Sequence, residues 1–315
     1  MTDVLTFGEA MVSLRADRLL RAGGPLNVSV AGAEANVAIG LARLGHTVSW
    51  VGLTGQDEFG RLVLRTLRAE GVDVRHVGTS EDGPTGLVVF EPRTADLTRV
   101  EYYRAGSAGS RLAPEHVEPA LALGPRVVHA TGVTAAIGAQ PLRAVQGAVR
   151  FARASGATMC LDVNHRSRLW SHDAASAALR PLMQDIDVLV ASDDELSVAA
   201  PPSATTEADR IEALLLSGVR EVVVKRGGDG AEVFHAGGSE SRAAVPVAVR
   251  DTVGAGDAFV AGYLSGLLDG LGVAGRLERA VTTGAFAVTT YGDWEGLPMR
   301  DELDLLQSAP GSAIR

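Results

Sequence analysis

The stretch Asp251-Thr252-Val253-Gly254-Ala255-Gly256-Asp257-Ala258-Phe259 decides how this chain is read. It leaves an apolar run, turns through two glycines and opens a helix of small residues over 258–268. Glycines at a helix start leave backbone N–H groups pointing outward, and the helix dipole favours an anion there. Asp257 falls among those groups. A carboxylate beside an anion-binding turn suits removal of a proton from a hydroxyl that attacks a bound phosphate. An aspartate after glycine at a helix start also serves as a plain cap, and for Gly-x-Gly-Asp alone capping is the commoner role.

Composition narrows the classes. A chain of 315 residues buries a large core. A hydrophobic share of 46% with 37 glycines fits a globular, loop-rich enzyme rather than a disordered chain. The net charge of −9 argues against a nucleic-acid partner, which demands a basic surface. Cys160 is the only cysteine, so neither an intrachain disulfide nor a cysteine zinc site is open to the chain. The opening residues lack a basic stretch followed by an apolar one, and no apolar run reaches the length of a membrane span. A cytoplasmic location is the expectation.

Upstream of the central stretch, residues 4–7 read as a buried strand and 28–30 as a half-exposed one. A helix is expected from Gly32 through Leu44, a strand over 47–53 and a helix over 56–70. That β-α-β-α grammar predicts a parallel sheet covered by helices. It breaks at 85–90 and 99–104, two β-rich runs joined by the polar turn 92–98 with no helix between. With the strand near Val28, this hairpin predicts a small sheet lying off the main one, placed to act as a lid. Alternation then resumes. Strands are expected at 126–130, 158–163, 188–191, 221–225, 231–235 and 243–249, and helices at 141–155, 174–183, 207–217, 257–268, 276–289 and 300–308.

The full nine-residue string resembles the signature of the ribokinase-like (PfkB) carbohydrate kinases, and the resemblance runs from end to end. It implies an α/β three-layer sandwich with a mostly parallel central sheet, one domain over 1–315, and a β lid from about 10–31 and 85–110. It implies Asp257 as general base, with Gly254, Ala255 and Gly256 forming the anion hole. ATP and Mg²⁺ follow from it, as does a homodimer or larger oligomer through the lid. Asp251, with nearby carbonyls, is implied as a ligand to a monovalent cation such as K⁺.

Other motifs carry two readings each. Gly32-Ala33-Glu34-Ala35-Asn36 is a turn and a cap, or a place where a sugar meets bare backbone and an amide. The resemblance gives Gly32 and Asn36 to the sugar. Tyr102 and Arg104 project from one face of a strand. Tyr102-Tyr103-Arg104, followed by Ser107, Ala108 and Ser110, is similar to the branch that phosphorylates 2-keto-3-deoxygluconate. In that branch Tyr102 and Arg104 grip the substrate. Asp162-Val163-Asn164-His165-Arg166 ends a buried strand, where open α/β sheets place ligands. The resemblance sets Asn164 near the phosphates and Arg166 near the substrate. Two arginines in one cleft favour a sugar acid, since a guanidinium holds a carboxylate through paired bonds.

Ser192-Asp193-Asp194-Glu195 departs from the family's Asn-x-x-Glu. Glu195 fits the indirect organisation of Mg²⁺, while Ser192 offers the nucleotide side one hydroxyl in place of an amide. Lys225-Arg226-Gly227-Gly228-Asp229-Gly230 is a hairpin turn when read bare. In the family the equivalent turn wraps ATP, which implicates Lys225, Gly227, Gly228 and Gly230. Gly292-Asp293-x-Glu295-Gly296-Leu297-Pro298 resembles the sugar-acid kinases, which implies that Asp293 approaches the substrate or the nucleotide edge; read bare, it is an ordinary turn aspartate.

The histidines show no zinc spacing, and neither a Gly-x-Ser-x-Gly elbow nor a P-loop occurs. The expectation is ATP-dependent phosphorylation of 2-keto-3-deoxy-D-gluconate on its 6-hydroxyl. Fructokinase, ribokinase and nucleoside kinase activities stand as alternatives, as does a non-catalytic sugar-binding regulator on the same fold.

Overall fold

The computed structural model describes residues 2–94 and 97–307. The first seven strands are β1 (Val4–Phe7), β2 (Met11–Ala16), β3 (Leu26–Ala31), β4 (Val48–Val51), β5 (Leu53–Gly55), β6 (Gly78–Ser80) and β7 (Leu87–Thr94). The rest are β8 (Leu97–Tyr103), β9 (Val127–Thr131), β10 (Thr158–Asp162), β11 (Val188–Ser192), β12 (Glu221–Lys225), β13 (Ala231–His235) and β14 (Gly238–Arg242). One eight-stranded sheet has the order β14-β13-β12-β11-β10-β9-β1-β4. It is parallel from β4 to β12 and ends in an antiparallel meander.

Parallel strands need helical crossovers, which cover both faces of the sheet. The period of two still sorts the side chains. Leu161 and Leu189 join one core with the helices Ala139–Ser155 and Glu207–Ser217. Cys160, Val188 and Val190 join the other with Ala33–Arg43, Ala255–Leu268 and Val273–Ala287.

The helix Ala255–Leu268 is buried along almost its whole length. Small residues let its neighbours close in. A Cβ on Gly262 would stand 2.2 Å from Thr283 Oγ1 and 2.8 Å from Ala280 Cα. A Cβ on Gly40 would stand 2.7 Å from that of Ala261.

The small sheet has the order β3-β2-β7-β8, with strands that lie within 11–31 and 87–103. Met11, Ala31, Val88 and Phe90 form its own core, and Val253 packs against them. That contact sets the sheet against the Asp251–Asp257 stretch. Loop side chains tie it down elsewhere. Trp294 Nε1 donates to Val30 O at 3.0 Å, Ser29 donates to Glu295, and Arg168 donates to Val100 O at 2.7 Å.

Several expectations are corrected. Residues 243–249 belong to no strand, because Pro246 has no N–H to give a ladder. The partner of β13 is instead β14, whose five polar or glycine residues are all exposed and give no apolar signal. The run 47–53 splits at Gly52, with β4 entering the main sheet and β5 pairing with β6. The helix expected at 174–183 is His172–Leu179 followed by a 3₁₀ turn, Arg180–Asp185, at Pro181. Residues 300–307 are 3₁₀ rather than α, and Ser308 lies outside the described residues, as do Ala95 and Asp96 of the expected turn. Strand β2 carries no alternation, since Met11, Val12 and Ser13 are all buried.

Gly262→Val forces a branched side chain between two packed helices. It should lower stability by about 1–3 kcal/mol, read as a reduced denaturant midpoint with an unchanged m-value; a midpoint equal to wild type contradicts this packing.

Candidate active site

A cleft of about 840 Å³ lies between the small sheet and the carboxyl ends of the main-sheet strands. Asn36, Arg104, Arg166, Lys225, Asp257 and Asp293 all line it. So do Gly32, Tyr102, Asn164, Ser192, Glu195, Gly254 and Gly256. The topology explains the convergence, because parallel strands deliver their following loops to one edge.

Asp257 stands in the first turn of Ala255–Leu268. Its Oδ2 accepts from Asn36 Nδ2 at 2.8 Å. Burial drives its carboxyl up to about 7, against the pull of the Asn36 bond; Asp162 pushes the same way as burial, and Arg166 and Lys225 oppose it. A base poised there is half deprotonated near neutrality.

Asn36 is itself set by its neighbour. Glu34 accepts from Thr131 and Thr134 at 2.6 and 2.5 Å, which pins the helix start to the end of β9. Asn36 Oδ1 is buried and has no hydrogen-bond partner, although it borders the cleft. Gly32 precedes it, and a Cβ there would meet Glu9 O at 2.6 Å.

Gly254 has the left-handed φ of 75°, and a Cβ on it would stand 1.9 Å from Asp293 O. Only glycine permits this approach. The turn that follows leaves the N–H groups of Gly256 and Asp257 without backbone acceptors among the described residues, while Ala255 N–H donates to Thr252 O at 3.3 Å. Lys225 Nζ lies 3.7 Å from where a Cβ on Gly256 would be. Two free N–H groups and an ammonium around one turn fit a phosphate.

Arg104 sits against Glu9, Nη2 to Oε2 2.5 Å, and its Nε has no hydrogen-bond partner. Glu9 also accepts from Ser107. Arg166 is exposed, and its side chain forms no hydrogen bond or ion pair among the described residues, while its carbonyl accepts from Leu169 N–H at 2.8 Å. Tyr102 borders the cleft, with the Arg104 guanidinium 5.7 Å from its ring centre. Asp293 is pushed up to about 8 by burial, with Glu295 and Asp257 adding to the shift.

On the nucleotide side, Asn164 has a φ of 38°, the one positive value outside glycine among the described residues. Both Glu195 oxygens are taken, by His165 N–H at 2.7 Å and Ser192 N–H at 2.8 Å. That suits an indirect influence on a metal rather than ligation. Ser192 Oγ donates to Asp194 at 2.6 Å. Gly227, Gly228 and Gly230 do not border the cleft; a Cβ on Gly230 would meet Arg242 O at 2.0 Å, so this glycine serves the β13–β14 packing. Asp251 faces Arg15 of β2, Oδ2 to Nη2 2.9 Å.

Three groups here escape the sequence motifs. Glu9 lies two residues past the end of β1, and its place after a buried strand was the available signal. Arg168 lies two residues past Arg166, on the same edge of the cleft. Arg15 sits on the unannounced strand β2.

A cleft between a small sheet and the carboxyl ends of a doubly covered parallel sheet is the ribokinase-like arrangement, and the protein is a carbohydrate kinase of that fold. Residues 1–300 match the pfkB family of carbohydrate kinases, and the chain belongs to this family. It is 38% identical to a 2-dehydro-3-deoxygluconokinase of Thermoproteus tenax, over 98% of this chain and 95% of that one. With a 2-dehydro-3-deoxygluconokinase of Bacillus subtilis (strain 168) it shares 34% identity, over 98% and 96%. A solved E. coli structure described as a ribokinase II in complex with ATP and Mg²⁺ superposes with a TM-score of 0.89 at 26% identity, covering 98% of this chain and 99% of that one. No helix among the described residues is long and apolar enough to cross a membrane.

Proposed function

We propose that this carbohydrate kinase transfers the γ-phosphoryl group of ATP to the 6-hydroxyl of 2-keto-3-deoxy-D-gluconate. The observation that carries the chemistry is the Asp257 carboxylate, buried beside free helix-start N–H groups and bonded to an asparagine whose other amide atom is buried without a hydrogen-bond partner. The sugar's 6-hydroxyl gives its proton to Asp257 as its oxygen bonds to the γ-phosphorus. The bond from that phosphorus to the bridging oxygen of ADP breaks. Charge on the transferred group meets the N–H groups of Gly256 and Asp257 and the Lys225 ammonium.

Asn36 and the bare backbone at Gly32 meet sugar hydroxyls, and Tyr102, Asp293, Arg104 and Arg166 complete the substrate side. Mg²⁺ bound with ATP supplies charge neutralisation at the phosphates, held mainly by phosphate and water. Asn164, Ser192 and Glu195 shape that end of the cleft. The small sheet serves as the lid that keeps water from the phosphoryl group. Its exposed edge strands β3 and β8 offer the surface for a homodimer.

Arginine chemistry and the relatives' substrate support a sugar acid. The Glu9 pairing of Arg104 weakens the charge argument, because it leaves Arg166 and Arg168 as the cleft guanidinium groups without an ion pair among the described residues. A neutral sugar such as fructose is therefore the second reading. A monovalent cation does not fit Asp251 well, since Arg15 already stands against that carboxylate and its guanidinium packs 4.3 Å over Phe90.

Asp257→Asn should abolish turnover with near-normal sugar binding, and wild-type kcat/KM should fall as pH drops through about 7, since the base must be deprotonated. Wild-type rates in the variant would remove the base. In a coupled ADP assay over a sugar panel, 2-keto-3-deoxygluconate should lead. Arg166→Ala should raise its KM roughly tenfold or more while sparing neutral sugars; an equal loss on both contradicts the acid assignment. Rates in KCl and in tetramethylammonium chloride at equal ionic strength should agree, and several-fold activation by K⁺ would count against Arg15 in that place.

A further inference from the structure

Asp162 has no part in the chemistry above, yet it is the best-connected carboxylate under the cleft. It closes β10, is 1% exposed, and does not border the cleft itself. Lys225 Nζ donates to both of its oxygens, each at 3.0 Å. The Asn164 N–H donates to Oδ1 at 3.2 Å, across the left-handed backbone. The lysine comes from β12, two strands away in the sheet, and its ammonium reaches the Gly256 turn.

A lysine head on four methylenes samples many positions unless something fixes it. Here one buried carboxylate does so with two bonds, and the same group holds the strained residue on the nucleotide side. Resting on the proposed phosphoryl transfer, we propose that Asp162 is a positioning residue, which aims the Lys225 ammonium at the Gly254–Asp257 turn and fixes Asn164 without touching either substrate. Fixed charges of this kind need no reorganisation when the phosphoryl group moves.

The charged groups that face Asp257 are Asp162 from β10, Arg166 from the loop beyond it, Lys225 from β12 and Asp293 from the last loop. Lys225 is in turn faced by Glu195. Burial pulls the lysine down, but Asp162, then Glu195 and Asp257, outweigh it and keep the ammonium charged. Removing the negative charge at 162 therefore exposes Asp257 to an uncompensated cation and takes away a repelling anion. Both effects favour the ionised base.

The test is Asp162→Asn, which keeps the shape and an acceptor for Asn164. Expected are a kcat loss of roughly tenfold to a hundredfold, a sugar KM unchanged, and an acidic limb of the pH profile moved to lower pH. A merely structural role lowers kcat without that downward move, and an unmoved or raised limb overturns the proposal, as does wild-type kcat. Lys225→Met alone and combined with Asp162→Asn guards against misfolding, since removing both partners of a buried pair is better tolerated than removing one. If Asp162 acts through Lys225, the second change adds no further kcat loss; additive losses overturn it. Asp257→Asn run alongside separates the two ideas. Turnover lost there, with Asp162→Asn at wild-type rate, sinks only the positioning role; turnover kept in Asp257→Asn sinks both.

Discussion

One carboxylate taken out of water governs this structure. Asp257 loses hydration at a helix start and regains only part of it from a single amide donor. A buried charge of that kind persists only where other groups share its cost. Here an amide from the first helix, Asn36, and a cation from the middle of the sheet, Lys225, both offset that cost. The eight-stranded sheet brings those distant pieces to one edge.

Three basic residues in or beside the cleft share a design. Arg15 rests on Asp251, Arg104 on Glu9 and Lys225 on Asp162, each pair joining two different elements. Buried pairs contribute little net stability, but they hold position. Of the basic residues lining the cleft, Arg104 and Lys225 are thus held by buried carboxylates, while Arg166 and Arg168 have no ion pair among the described residues. An anionic ligand meets directions already chosen, and a field smaller than the count of basic residues suggests.

The main sheet was legible because its strands are buried on both faces and read as unbroken apolar runs, as in Val222-Val223-Val224. Strand β14 was not, since an exposed edge needs no apolar residues, and 243–249 misled because its valines imitate a strand that Pro246 cannot complete. In the site, motif residues such as Asn36, Arg166 and Asp257 could be singled out from the sequence, and all three line the cleft. The ion pairs beside them could not. Glu9, Arg15 and Asp162 pair with Arg104, Asp251 and Lys225, far away in the chain, and no local pattern encodes a partner on another strand, even where Asp162 heads a quoted motif.

The bond between Asn36 and Asp257 spans 221 residues, and that between Val30 and Trp294 spans 264. At roughly 5–20 residues per second, translation takes about 10–40 s to pass from the amide to the carboxylate it binds. An unfinished polypeptide on the ribosome therefore presents half a cleft, with its small sheet lacking the tryptophan that tethers it. The site is complete only once residue 294 has been made, whatever has already folded by then.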